Sequence, residues 1–429
     1  MSGGKQKAVP LQAPKGMHDI IPDAQPLWDK VRKELKELAN IYQFQRIDTP
    51  LVEPAELFER SVGSDSDVVE KQMFMLATRE KRFVLRPEGT APVARAYIQN
   101  GMAQLMQPVK LWYEGPMFRY EQPQAGRFRE FHQAGFEILS SENDPLYDAQ
   151  IILASYRFLE RVKIKDVTVL INTIGCRLCR PSYRKELAEY YRDNVKQLCA
   201  DCVRRLKSNP LRLLDCKEEG CIDLKKEAPV IIDHLCKACH DHYKAVLEYV
   251  EELKIPYMID HHLVRGFDYY TKTVFELTTA NFASSLGGGG RYDDLVELLG
   301  GKPTPAVGVA FGLERIIGVM RERNVSLGGR QQLRVFLVAI GALAKKKSLS
   351  LLEEFRAGGI DVSETLGKDS LKAQLRSADR LNAPLALIFG QREAFEETMI
   401  IRDLKTGVQE TVPLKKVVES VKKHLKTIE

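Results

Sequence analysis

All eight cysteines of this 429-residue chain fall between Cys176 and Cys239. They come in four pairs, Cys176/Cys179, Cys199/Cys202, Cys216/Cys221 and Cys236/Cys239, which are three C-x2-C knuckles and one C-x4-C. In a reducing compartment this spacing favours metal ligation over disulfides. Two four-thiolate zinc sites would each draw on two neighbouring knuckles. The competing reading is a set of reduced, partly buried thiols that help a small helical module pack. Either way, a segment of about 175–248 has a composition of its own and reads as an insertion in a longer fold.

The length exceeds that at which a single core keeps growing, so two or three domains are expected. The first fourteen residues, MSGGKQKAVPLQAP, lack the apolar stretch of a signal peptide, and no later run is long enough to span a bilayer, so the chain is expected to be soluble and cytoplasmic. A net charge of +6 suits a polyanionic partner and equally suits a metabolic enzyme.

Residues 1–14 read as a tail. From Pro26, Leu27, Val31, Leu35 and Leu38 recur at helical spacing, and the prolines of RIDTPLVEP then force an extended segment. KRFVLRPE, VKLWYEGPMFRY and GRFREFHQAGFEIL read as strands, the last two joined through EQPQA into a long hairpin. A helix is expected around Pro145 to Arg161, then strands KDVTVLINT, TKTVFELTT and AVGVAFG, and a helix LERIIGVMRER. The glycine run in SSLGGGGRYDDL is expected to form a tight turn. After a polar linker, NVSLGGRQQ, strands and helices alternate to the end, as in a small α/β unit. The fold class expected is α+β: an antiparallel sheet flanked by helices over 15–325, the cysteine-rich, mainly helical insertion inside it, and a C-terminal α/β domain over 332–429.

The hairpin carries the first hint of chemistry. Period-two alternation places Arg129, Phe131, Gln133, Gly135 and Glu137 on one face of the return strand, and Phe128, Ala134, Phe136 and Ile138 on the other. Gly115, Met117 and Arg119 share a face of the outgoing strand. Glycine in mid-strand weakens a sheet unless something lies close to the backbone, and a ligand is one such thing. His132 falls on the face opposite Gln133 and reads as structural. No GxxxxGK[ST] phosphate loop occurs.

FRYEQPQAGRFREFHQAGFE resembles motif 2 of class II aminoacyl-tRNA synthetases in the form used by the histidyl-tRNA synthetase family. The family's other marks follow in order: the segment ending in RIDTPLVEP resembles motif 1, RPEGT the amino-acid loop, LVRGFDYYTKTVFE and GGGGRYDDL the histidine signatures, and AVGVAFGLER motif 3. The terminal unit resembles the family's anticodon-binding domain. The resemblance implies an enzyme that joins L-histidine to tRNA(His) using ATP, with Mg2+ bridging the β- and γ-phosphates, and that forms a homodimer through motif 1. It implies that Arg119 grips the α-phosphate and substrate carboxylate, Arg265 the α-phosphate, and Arg315 the γ-phosphate side. Glu137 and Tyr270 are implied for the imidazole, and Glu88, Thr90 and Gln133 for the α-ammonium, with Gly89 and Tyr269 lining the site and Tyr292 beside it. Thr90 also suits a helix N-cap.

Fixed cations are what this chemistry requires, because a carboxylate must approach a phosphate while more negative charge develops. The family's non-catalytic regulatory paralogue in histidine biosynthesis is the alternative. Such paralogues lose the signature arginine and the terminal domain, and this chain has both Arg265 and the unit after Leu333. Four paired knuckles depart from many histidyl enzymes. By analogy the insertion lies against the acceptor arm, and its basic stretch RRLKSNPLRLL suits phosphates or a solvated helical face.

Overall fold

The computed structural model describes residues 10–428 except 64, 65, 67, 77–80, 123–125, 281, 283, 326–334, 366 and 368. The start of the expected tail, the tip of the EQPQA turn and most of the expected linker therefore lie outside the described residues. The chain divides into two units, Met1–Ser326 and Leu327–Glu429. Among the described residues no helix is long and apolar enough to cross a membrane.

The first unit is built on an eight-stranded sheet. Its order is Gln45–Arg46, Val109–Phe118, Glu130–Leu139, Ala306–Gly312, Gly287–Arg291, Thr271–Thr279, Val167–Thr173, Tyr257–Ile259. The pairs inside it are antiparallel, and only the two outermost strands run parallel to their neighbours. Alternation on the return strand falls as expected. Ala134, Phe136 and Ile138 enter a core with Phe311, Val309 and the helices Gln25–Ile41, Leu146–Arg161 and Leu313–Glu322, while Gln133, Gly135 and Glu137 face the other way. The first helix begins with Pro26 in its first turn, where the missing N–H costs nothing. It buries Trp28, Val31, Leu35 and Leu38, the stripe that its period dictates.

The glycine run corrects the sequence reading, because Gly287–Arg291 is an extended strand, paired on both sides, rather than a tight turn. Glycine is required there for closeness: a Cβ on Gly289 would sit 2.0 Å from the Gly308 carbonyl oxygen, and one on Gly288 would sit 2.6 Å from the Arg265 guanidinium. Room for a side chain above the sheet is thus made by removing side chains from the sheet.

Arg291 ends this strand and is buried with Asp148 of the helix Leu146–Arg161. Its Nε donates to Asp148 Oδ2 at 2.9 Å and its Nη2 to the Asp144 carbonyl at 2.7 Å, and His242 Nε2 lies 3.4 Å from Asp148 Oδ1. Burial alone would raise the Asp148 pKa, but Arg291 and His242 outweigh it and hold the carboxyl well below the usual carboxylate range.

The insertion is mainly helical, with helices Arg180–Asp193, Ala200–Ser208, Glu219–Lys226 and Lys237–Glu252 around a small core of Tyr183, Leu187, Tyr191, Leu213 and Leu214. The last helix belongs to two regions, with Cys239 among the cysteines and Val246 and Val250 in the main core. The cysteines form two groups, Cys176/Cys179/Cys236/Cys239 and Cys199/Cys202/Cys216/Cys221. Neighbouring knuckles pair only in the second group. The first joins the outermost knuckles around it, so the expectation of neighbours in both is corrected to a nested arrangement, produced by the chain leaving and returning at one place.

The second unit has a five-stranded sheet in the order Val362–Glu364, Val335–Ala339, Leu385–Phe389, Thr398–Asp403, Gln409–Pro413. The first three strands are parallel and the last two close as an antiparallel hairpin. The short helix Gln391–Glu396 has no counterpart in the sequence reading.

Arg291→Met is expected to destabilise the first unit by about 3–5 kcal/mol, because it strands the Asp148 charge in the core. Adding Asp148→Asn should restore part of that loss, which thermal denaturation of single and double variants would show. Equal or greater loss in the double variant would mean that the pair is not the source.

Candidate active site

A cavity of about 320 Å³ opens on the polar face of the hairpin. Of the residues expected at the site, Glu88, Thr90, Arg119, Gln133, Arg265, Tyr269, Tyr270 and Arg315 line it. Glu137 lies beneath them, fully buried. Gly89 sits where Arg86–Thr90 enters the helix Thr90–Gln99, its N–H donating to Gln133 Oε1 at 2.9 Å. These residues come from four separate stretches that the sheet order brings together.

The floor is a hydrogen-bonded network. The Thr90 hydroxyl donates to Glu137 Oε1 at 2.8 Å and the Tyr292 hydroxyl to Oε2 at 2.5 Å. Burial pushes the Glu137 carboxyl up to about 8, against the pull of those two bonds. Thr90 is not the N-cap, since it is the first residue of the helix and its hydroxyl is spent on Glu137. Glu88 does the capping instead: its oxygens accept from the Thr90 and Ala91 N–H groups at 2.7 and 2.8 Å. Burial raises the Glu88 carboxyl, and the same two bonds oppose it.

The arginines stand around the cavity wall. Arg119 donates from Nε to the Pro87 carbonyl at 2.9 Å, and its guanidinium lies 5.1 Å from the Phe131 ring centroid. Arg265 pairs with Glu276. Arg315, in the first turn of its helix, donates to the Gly126 and Ser285 carbonyls at 3.1 and 3.0 Å. Each guanidinium is thereby fixed by one or two contacts, which is the preorganisation that anion binding rewards. His132 points to the opposite side, its Nδ1 lying 2.9 Å from Glu314 Oε1 and its ring edge-on to Trp28.

The two mid-strand glycines serve the protein's own side chains. A Cβ on Gly135 would fall 2.4 Å from the Tyr113 ring, and one on Gly115 would fall 2.6 Å from the Arg86 guanidinium. Tyr113 was legible from the same alternation, being opposite Gly135, and its hydroxyl meets Gln133 Oε1 at 3.2 Å. Arg212 and Asp215, from the insertion, also line the cavity. No local signal marks them, because only the path of the insertion brings them there.

The chain matches the family described as Histidyl-tRNA synthetase over residues 16–316 and that described as Anticodon binding domain over 332–424. The Histidine--tRNA ligase of Pelotomaculum thermopropionicum is 42% identical over 415 residues, covering 96% of this chain and 97% of the relative. The apo histidyl-tRNA synthetase of S. aureus superposes with a TM-score of 0.78 at 32% identity, over 96% of this chain and all of that one. A Bacillus halodurans protein described as an ATP phosphoribosyltransferase regulatory subunit/histidyl-tRNA synthetase shares the fold at 22% identity and a TM-score of 0.64, covering 90% of this chain. Matched over most of its length, and with the signature residues gathered at one cavity, the chain belongs to the histidyl-tRNA synthetase family.

Proposed function

We propose that the chain activates L-histidine with ATP to histidyl-adenylate and pyrophosphate, and then transfers histidine to the 3′ end of tRNA(His). The observation that carries this reading is the convergence of Arg119, Arg265 and Arg315 with the Thr90–Glu137–Tyr292 network on one cavity. In the first step a histidine carboxylate oxygen attacks the α-phosphorus and the bond to the bridging oxygen of pyrophosphate breaks. Arg119 and Arg265 offset the charge that develops there, and Arg315 holds the outer phosphates. In the second step the terminal ribose hydroxyl of the tRNA attacks the mixed anhydride and AMP leaves.

Histidine is told from side chains of similar size by bonds to both ring nitrogens, for which Glu137 and Tyr270 are the proposed partners. A carboxyl that titrates near 8 can share a proton with an imidazole, accepting from a ring N–H when ionised and donating when neutral. Glu88, Thr90 and Gln133 receive the α-ammonium, with Gly89 and Tyr269 shaping the wall. The regulatory reading leaves Arg265 and the second unit without a task.

Mg2+ prefers oxygen donors, and Glu121, one of the carboxylates that line the cavity and 3.9 Å from Arg119, would help hold it; with nucleotide bound the ion would neutralise phosphate charge. The cysteine groups fit zinc. Cys176 Sγ lies 3.6 Å from Cys179 Sγ and 4.0 Å from Cys236 Sγ, and Cys199 Sγ lies 3.8 Å from Cys216 Sγ. A tetrahedron with Zn–S bonds of about 2.3 Å has edges of about 3.8 Å. Zinc there would cross-link the module. Exposed Ile41, Leu51 and Val52 around the motif 1 strand support a homodimer. We assign 15–325 to catalysis, with 175–248 as its insertion, and 332–429 to the anticodon.

Arg265→Ala is expected to fold normally and to lose about a hundredfold or more of histidine-dependent pyrophosphate exchange. Near-normal exchange in the folded variant would remove Arg265 from this role. The Glu137 pKa rises from 4.5 unfolded to about 8 folded, so the stability it contributes is complete below the lower value and lost as pH climbs through the upper one. The melting temperature of the wild type should therefore fall relative to Glu137→Gln across that window, and parallel curves would show that the carboxyl is not held neutral. Deleting residues 331–429 should spare activation while reducing tRNA charging at least about tenfold, since the terminal unit, with exposed Lys415, Lys416, Lys422 and Lys423, is assigned to RNA contacts. Equal loss of both activities in an intact dimer, checked by sedimentation, would overturn that division.

A further inference from the structure

The loop from Leu263 to Tyr270 carries Arg265, Tyr269 and Tyr270 but no regular structure except its end at the strand Thr271–Thr279. A Cβ on Gly266 would meet nothing within 4 Å, so neither sterics nor packing at that residue restrains the backbone. The Asp268 N–H donates to the Val62 carbonyl at 3.2 Å and Asn172 Nδ2 to the Leu263 carbonyl at 2.9 Å, and further restraint comes from the insertion. Arg212 Nη2 donates to the Gly266 carbonyl at 2.8 Å and lies 3.6 Å from Asp268 Oδ1, to which Asn209 Nδ2 also donates at 3.2 Å. At the other end Arg180, next to Cys179, donates to the Tyr270 carbonyl.

Arg212 is in turn held by the inner cysteine group. It lies in the turn Pro210–Asp215, whose Leu213 and Leu214 pack with Cys202, Cys216 and Cys221, and Cys216 follows the turn directly. The four sulfurs lie within 4.8 Å of one another. The N–H groups of Cys199 and Cys202 point at Cys221 Sγ and Cys199 Sγ at 3.3 and 3.4 Å, the outer-shell bonding that favours thiolate ligands. A core this small depends on such a staple for rigidity.

We propose that the inner group, Cys199, Cys202, Cys216 and Cys221, acts through a bound zinc ion as a clamp that sets Arg212 against the Gly266 carbonyl and so holds the 263–270 loop in its histidine-binding form. Arg212 is a positioning residue, acting on the substrate through the loop. The clamp rests on the zinc reading given above, and it makes histidine use depend on the metal content of a module outside the reacting centre.

The test measures zinc by elemental analysis and the KM for histidine and ATP in pyrophosphate exchange, on the full chain. Arg212→Ala should keep its zinc and raise the histidine KM about tenfold, the loss expected for one charge-assisted hydrogen bond, and, because the same loop carries Arg265, should lower kcat as well. Arg212→Lys should recover part of it. Cys199→Ser with Cys202→Ser should lose one zinc ion and raise the histidine KM similarly, and combining it with Arg212→Ala should add nothing further. Should the cysteine variant not fold, removing zinc from the wild type with a chelator and restoring it should raise and lower the histidine KM in step. An unchanged histidine KM in zinc-loaded Arg212→Ala overturns the clamp while leaving the zinc reading intact. Additive losses overturn the link between metal and Arg212. A zinc-free wild type overturns the zinc reading and the metal half of the clamp together, whatever Arg212→Ala does.

Discussion

The buried pair of Arg291 and Asp148 is the fixed point of the first unit. Asp148 opens one helix, His242 brings a second against it, and Arg291 ends the glycine strand, so three elements meet at two charges. Charges in a core are tolerated only when each finds its partners, which makes the geometry strict. The next residue, Tyr292, therefore leaves the strand in a fixed direction, and that direction takes its hydroxyl to Glu137. From Glu137 the order passes to Thr90, and through Glu88 to the start of the helix Thr90–Gln99. The polar floor of the site inherits its precision from an ion pair on the other side of the sheet.

Much of this was legible in the sequence where the signal is local. The period of the return strand separated Gln133 and Glu137 from Phe136 and Ile138, and the proline-framed first helix showed its buried stripe. The glycine run misled because four glycines permit turns more readily than they suggest strands; they form a strand because strands on both sides pair with them, and glycine is needed because those neighbours leave no space for a Cβ. Thr90 misled in a smaller way, since a hydroxyl before an apolar run resembles a cap until Glu88 is seen to cap the helix through the Thr90 and Ala91 N–H groups. What could not be read were meetings between distant segments. Arg212 in a basic stretch looked like a phosphate contact or a solvated face, and its carbonyl partner lies in a loop more than fifty residues on.

The site is built by subtraction as well as by placement. Tyr113 occupies the space that Gly135 leaves, Arg86 that of Gly115, and Arg265 that of Gly288. Large side chains can then lie flat on the sheet, and the cavity above is walled by arginines whose hydrogen bonds to carbonyls such as Pro87 and Gly126 are in place before any ligand arrives. Little ordering is left for the moment of binding.

The nested cysteines have a consequence for descent. The insertion departs after the strand Val167–Thr173 and returns through a helix whose far end is already core, and Cys176 and Cys236 face each other across the neck. An excursion whose two ends coincide adds loop without displacing the scaffold, and its entropic cost grows only slowly with length. Such a module can be acquired, lengthened or exchanged between lineages as a cassette, leaving the sheet as it was. Because the neck carries its own four sulfurs, the cassette brings its fastening with it.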